Sequence, residues 1–272
     1  MREWKGSVAF ITGGGQGIGL GIARALGKRG VRLALADIDE AALTRSGNEL
    51  SRVTAVETFR LDVRDRGAFA SAADEVESKL GHVNLLFNNA GIVPHSPVSE
   101  LRYEQWDLAL GVNLTGVVNG LQTLLPRMIE RGEGGYVVNT SSGAGLAADP
   151  NVLYATAKFA VVGLSESLQL AVSKYGIDVS VLCPGPVDTN IIHNTRSAEE
   201  GVSLGGRGGA LKDAEAFLKG GASIDSVGEM VIAGMEARSL WIHTDDVMRP
   251  YVEKRMAGLL ESIPAPAADG AF

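Results

Sequence analysis

A doubly wound α/β fold, with a parallel sheet between two layers of helices, is predicted by two features of this 272-residue chain. Short apolar runs alternate with helical patterns across brief connections, the order that builds a parallel sheet from crossover units. The first joint, Ser7 to Gly19 (SVAFITGGGQGIG), carries a buried strand into a helix across almost nothing but glycine.

The elements follow in order. Val8 to Ile11 is a short apolar run suited to a strand covered on both faces. Ile18, Ile22, Ala25 and Leu26 then recur at helical spacing to about Arg29. Next come strand Val31 to Ala36, helix Asp39 to Leu50, strand Thr54 to Leu61, helix Arg66 to Leu80 and strand Val83 to Phe87. A long helix, Tyr103 to Arg131, carries a wide apolar stripe with Asn113 inside it. That amide is either a satisfied core group or one that bends the helix and holds a water. Strand Tyr136 to Thr140, helix Tyr154 to Tyr175, helix Ile224 to Ala237, strand Ser239 to His243 and helix Asp246 to Leu260 complete the series.

The length suits one large sheet rather than two domains. Residues 1–263 are read as a single catalytic domain and 264–272 as a frayed tail. A net charge of −7 argues against nucleic acid or an anionic membrane as a partner. No apolar run is read as approaching the ~18 residues of a membrane span. The start, MREWKGS, lacks the apolar core of a secretory signal, and the lone Cys183 cannot form an internal disulfide, so a cytoplasmic location and an inert packed thiol are expected. The histidines at 82, 95, 193 and 243 show no metal spacing, so no metal is expected.

Function starts at the glycine turn. Neither G-x-G-x-x-G nor a P-loop is present; the pattern is T-G-x-x-x-G-x-G at Thr12, Gly13, Gly17 and Gly19. A glycine cluster alone is often only a loop. Here a strand precedes it and a helix follows, so the first helical amides and the positive end of the helix dipole face whatever approaches, a site for phosphate. The second strand ends in Asp37, where an acid would hold a ribose 2′-hydroxyl and repel a 2′-phosphate. Neither Gln16 nor Ile38 supplies the positive charge that a 2′-phosphate needs, so NAD is favoured over NADP. Farther on, Tyr154 and Lys158 stand four apart on one helix face, one connection after Ser141 and Ser142. An ammonium beside a tyrosine favours its phenolate and is expected to lower a pKa near ~10.

Eight features occur in the order and near the spacings of the short-chain dehydrogenase/reductase family: TGGGQGIG, Asp37, Asp62-Val63, NNAG, Asn113 in GVNLTGV, the serine pair, YATAK and PGPVDTN. The chain resembles the single-domain branch of that family from about Lys5 to Asn190. The resemblance implies a seven-stranded Rossmann fold with Asn113, Ser142, Tyr154 and Lys158 as a catalytic tetrad. Ser142 is preferred because S-x-A-G fits Ser142 to Gly145; Ser141 is the alternative, since members often place the serine thirteen residues before the tyrosine. The implied cofactor-binding residues are Gly13, Gln16, Gly17, Ile18, Gly19, Asp37, Ile38, Asp62, Val63, Asn89, Ala90 and Gly91, followed by Tyr154, Lys158, Pro184, Gly185, Val187 and Thr189.

The expected chemistry is hydride transfer between NAD and a secondary alcohol or its ketone, with a catalytically silent NAD-binding sensor or scaffold as the alternative. The glycine-rich stretch 190–221 reads as a lid, mobile without ligand, with Ile191, Ile192, Leu204 and Leu211 facing substrate. Pro94, His95, Ser142, Val152, Ile191 and Ile192 are the expected pocket residues, and Val93, Leu146 and Leu153 add apolar surface. With no Arg or Lys among them, a bulky neutral substrate is expected: aromatic, alicyclic or steroid-like. The 190–221 stretch and the C-terminal pattern also resemble those of members that oxidise benzylic alcohols. The apolar stripe on Tyr103 to Arg131, with Val161, Leu164, Leu168 and Val172, points to a homotetramer or homodimer, or else to burial within one subunit.

Overall fold

The structure, a computed structural model, describes residues 4–198 and 215–264. Seven parallel strands lie in the order β3-β2-β1-β4-β5-β6-β7. They are β1 (Val8–Thr12), β2 (Arg32–Asp37), β3 (Val56–Arg60), β4 (Val83–Asn88), β5 (Gly135–Thr140), β6 (Ile177–Cys183) and β7 (Trp241–His243). The order reverses between β1 and β4, and the crevice outside the carboxyl ends of strands at such a point is where ligands of open sheets bind. That edge gathers the glycine turn after β1, Asp37, Asp62, Asn89, Ser141, Ser142 and the loop that follows Cys183.

Alternation along the strands splits the apolar residues between two cores. Phe10, Leu86, Val137 and Val181 face α3 (Arg66–Leu80), α5 (Gly116–Arg131) and α6 (Val152–Val172). Ile11, Leu85, Val138 and Leu182 face α1 (Gly17–Gly27), α2 (Glu40–Leu50) and α8 (Ile224–Glu236). Both faces of every central strand are therefore dry, and only the edge with its loops is left to meet a ligand.

The long helix expected over Tyr103 to Arg131 has three parts: α4 (Tyr103–Leu110), one π-helical turn (Gly111–Thr115) and α5. The extra residue of the π turn lets Asn113 point inward without breaking the helix. This helix is long and apolar enough to cross a membrane, which corrects the expectation that no stretch approaches such a span; half of its most apolar window is buried in the protein. Polar residues such as Asn113 and Asn119 interrupt the run without cancelling its mean hydropathy. Val112, Leu114, Leu125, Ile129, Leu164 and Leu168 are partly buried against the core. The expected lid is helical at its start, α7 (Ile191–Ala198); Leu204 and Leu211 lie outside the described residues, as does the tail from residue 265. The last helix, α9 (Arg249–Ser262), begins three residues later than expected.

Helices α1 and α8 cross backbone against backbone. A Cβ on Gly21 would stand 2.0 Å from the Ile224 carbonyl oxygen, and one on Gly228 would stand 2.2 Å from that of Gly21. Gly21→Ala should therefore lower the unfolding free energy by about 2 kcal/mol in urea titrations, as the helices are forced apart. Gly27→Ala in the same helix, where the nearest neighbours would be 3.5 Å away, should cost nothing.

Candidate active site

The glycine turn is shaped to meet an anion. Gly13 and Gly17 have positive φ, +62° and +55°, and a Cβ on Gly19 would lie 2.1 Å from the Gly13 carbonyl oxygen. At the start of α1, Gln16 makes no side-chain cap and the first turn holds no acid. The helix dipole is thus left for a ligand, the arrangement a pyrophosphate requires. A groove of about 350 Å³ runs beside this turn, lined by Gly15, Gln16, Gly17, Leu20, Arg45 and Thr189 among others.

Asp37, 8% exposed, accepts N–H bonds from Gly15 (3.0 Å) and Asp39 (3.1 Å). Burial pushes its carboxyl above the ordinary value, and those backbone donors pull it back. Ile38 beside it is exposed, and Arg24 is paired with Glu49 and Asp225. Arg45 lines the groove and was not weighed at the sequence level. Asp62 is ion-paired with Arg64 at 2.6 Å, which holds its carboxyl below the usual range, and Val63 is buried beside it.

Asn89 is a knot between strand tips. Its Nδ2 donates to the Thr12 and Gly13 carbonyls at 3.2 and 3.3 Å, and its Oδ1 accepts from Thr140 Oγ1 at 3.2 Å. Thr12 Oγ1 accepts the N–H groups of Asn89 and Ala90. The glycine turn and the β4 loop are thereby held at one spacing.

Asn151 caps α6 by accepting the Tyr154 N–H at 3.3 Å, which sets Tyr154 in the first turn. Ser142 lies near enough to Tyr154 to favour its phenolate, while Ser141 donates to the Lys158 carbonyl at 2.8 Å and is 1% exposed. The Ser141 hydroxyl is thus committed away from the tyrosine, and Ser142 is the one of the pair that acts on it. Lys158 is buried, donates to the Thr140 carbonyl at 3.0 Å, and stands 5.5 Å from the Tyr154 ring centre. Asn113 accepts the Ile92 N–H at 3.1 Å and donates to the Ala109 carbonyl at 3.0 Å. A Cβ on Gly91 would stand 3.0 Å from Asn113 Oδ1 and 3.4 Å from Lys158 Nζ, so these groups converge where glycine leaves room.

One electrostatic expectation is reversed. Tyr154 is raised to about 12 rather than lowered, because burial disfavours its phenolate by more than the nearby Ser142 hydroxyl favours it. Lys158 is lowered to about 8, again by burial. The buried Cys183 thiol is pushed up to about 12 and stays neutral.

Of the expected pocket residues, Ile191 and Ile192 are half-buried on α7. Thr195 on that helix accepts the Val93 N–H at 2.9 Å, which seats α7 against the β4 loop. Pro94 is buried, His95 and Val152 are exposed, and Leu153 is packed inward at 1% exposure. Among the described residues, no group of three or more His, Cys, Asp or Glu could hold a metal.

Residues 7–200 match the sequence profile of the short chain dehydrogenases. The chain belongs to the short-chain dehydrogenase/reductase family. The C alpha-dehydrogenase of a Sphingobium strain is 33% identical over 99% of this chain and 90% of its own length. The D-threitol dehydrogenase of Mycolicibacterium smegmatis is 35% identical over 73% of this chain and 77% of its own. A Burkholderia phymatum member of the family, solved with NAD, superposes with a TM-score of 0.91 at 30% identity, covering 99% of this chain and all of that one.

This member of the family also carries site-shaping residues whose roles are not visible in the sequence: the side chain of Thr12, Thr140, Thr195 and, at the tip of β7, Thr244. Each acts through a hydroxyl or carbonyl whose partner lies far off in the chain, in a loop or on another element, so spacing along the chain gives no sign of it.

The buried lysine has a measurable signature. Between pH 8 and 10.5 the unfolded chain holds the Lys158 proton more tightly than the folded one, so stability rises with pH in that window. In urea titrations, the unfolding free energy of the protein minus that of Lys158→Met should rise by ~3 kcal/mol across it. A flat difference would contradict the burial of the ammonium.

Proposed function

We propose that the protein is an NAD-dependent alcohol dehydrogenase interconverting a bulky, apolar secondary alcohol and its ketone. The observation that supports this most is the convergence of Ser142, Tyr154 and Lys158 at the same sheet edge that offers an uncapped helix N-terminus and Asp37. One edge thus provides for a dinucleotide at one end and for proton transfer at the other.

Gly13 to Gly19 would hold the pyrophosphate, Asp37 the adenosine ribose, and Asp62 with Val63 the adenine edge. Asp37 favours NAD over NADP, with the positive charge of Arg45 in the adjoining groove acting the other way. The NAD bound to the Burkholderia phymatum relative agrees with this choice. Asn89, Ala90, Gly91, Pro184, Gly185, Val187 and Thr189 would surround the nicotinamide half.

Bound NAD⁺ would accept the hydride and place a positive charge near Tyr154. In the oxidative direction Tyr154, as phenolate, takes the hydroxyl proton of the alcohol. Ser142 hydrogen-bonds and orients the substrate oxygen, with Ser141 committed to the Lys158 carbonyl. Lys158 holds the nicotinamide ribose and offsets the burial that keeps the free tyrosine protonated. Asn113, on its π turn, positions the water that passes the proton outward.

The substrate class rests on the apolar character of Pro94, Leu146, Ile191 and Ile192, and the dehydrogenase activity on the similarity to a C alpha-dehydrogenase. The chain up to residue 263 is read as one catalytic domain, with α7 covering substrate. Subunits pair through α4, α5 and α6 as a homotetramer or homodimer, in the cytoplasm.

Tyr154→Phe should lower kcat with NAD⁺ and a benzylic or alicyclic secondary alcohol by ~10²–10⁴-fold and leave NADH binding within twofold or so. Near-normal turnover by that variant would overturn the role of Tyr154.

A further inference from the structure

The loop after β6 runs along the whole candidate site. At one end the Pro184 carbonyl accepts the Gly143 N–H at 2.9 Å, beside Ser142; at the other, Thr189 Cγ2 would stand 3.4 Å from a Cβ on Gly17. Any ligand reaching from the glycine turn to Tyr154 must lie against it. Its outer half is tied to the segment before α8: Ala222 donates to the Pro186 carbonyl and accepts from Asp188, both at 3.0 Å.

The inner half is held differently. Pro184 and Pro186 have no N–H, so Gly185 carries the one backbone donor of that tripeptide. It donates to Thr244 Oγ1 at 3.0 Å, and the Thr244 hydroxyl donates to Asp245 Oδ2 at 2.6 Å. Asp245 Oδ1 accepts the Val247 N–H at 3.1 Å, which anchors the carboxylate at the approach to α9. The carboxylate lies flat against Gly185, where a Cβ would come within 2.3 Å of Oδ2. Thr244 is 9% exposed, so its bonds are made largely out of water. The same junction brings Met248 over Gly143, 2.5 Å from the position of a Cβ there.

We propose that Thr244 and Asp245 are positioning residues: through the Gly185 N–H they hold the Pro184–Pro186 segment in the shape that receives the nicotinamide half of the cofactor. This rests on the NAD assignment above. Without the latch, the loop keeps its outer tie through Ala222 and the bond between the Pro184 carbonyl and Gly143 but loses the one that fixes the Gly185 peptide, so the nicotinamide end should be weakened and the adenosine end spared.

Calorimetric titration with two probes, NADH and ADP-ribose, separates these ends, because ADP-ribose lacks the nicotinamide. For Thr244→Val the NADH dissociation constant should rise roughly three- to tenfold, the effect of one buried hydrogen bond, while that of ADP-ribose stays unchanged. Asp245→Ala should move in the same direction, and Thr244→Ser, which keeps the hydroxyl, should bind both probes as the unaltered protein does. Equal weakening of both probes would indicate general disruption and overturn the proposal, as would unchanged NADH binding by Thr244→Val. Failure of the unaltered protein to bind NADH would overturn the cofactor assignment and the latch together.

Discussion

A lysine ammonium held out of water beneath the carboxyl edge of the sheet is the constraint around which this site is built. Lys158 is 3% exposed and meets the Thr140 carbonyl, so the tip of β5 must stand directly over the first turns of α6. The Lys158 carbonyl is claimed in turn by Ser141, which leaves Ser142 to turn toward Tyr154. Side chains are excluded wherever these groups crowd. A Cβ on Gly145 would fall 2.4 Å from Ser141 Oγ and 2.7 Å from the Lys158 carbonyl oxygen, and one on Gly91 would press on Asn113 and Lys158. Isolated charges out of water are costly, and such a group is retained where surrounding polar partners are arranged for it.

That cost explains the opposed shifts of the pair. Burial moves Tyr154 up and Lys158 down, making the charged form of each costlier; near neutral pH the free protein therefore holds a neutral tyrosine beside a lysine that is still protonated. A perturbed pair of this kind at a ligand-binding edge is a mark of function, because a site that receives a cation beside the tyrosine changes the balance when it fills. On the proposed reading, the acid/base group and the cofactor groove would be electrostatically linked, with the glycine turn and Asp37 at one end and the tyrosine at the other.

Much of this was legible in the sequence, for local reasons. The glycine turn declares itself because strand, bare turn and helix are contiguous, and Asp37 because it ends the next strand. The Tyr154 and Lys158 pair is readable from helical spacing together with its place at the sheet edge, one connection after the serine pair. What escaped was whatever depends on packing. The π turn at Gly111–Thr115 leaves the apolar periodicity nearly intact, so the helix reads as continuous. The direction of the Tyr154 shift was misjudged because a neighbouring charge is visible in a sequence and desolvation is not. Thr244 reaches Gly185 only because β7 pairs with β6 in the register that sets His243 opposite Cys183, a match between residues far apart in the chain. Arg64 was overlooked though it stands two residues from Asp62, since nothing in the spacing says that it folds back onto that carboxylate.

The central claim is that one sheet edge brings a carbinol carbon against NAD while Tyr154 removes the hydroxyl proton. The most direct measurement supplies the purified protein with NAD⁺ and secondary alcohols deuterated at the carbinol carbon, benzylic, alicyclic and steroidal, and follows the label by mass spectrometry. The account predicts that the deuterium is found on the reduced nicotinamide ring and the alcohol is recovered as its ketone. Label released to water, or no reduction of NAD⁺ across the series by a protein that binds NADH, would contradict it.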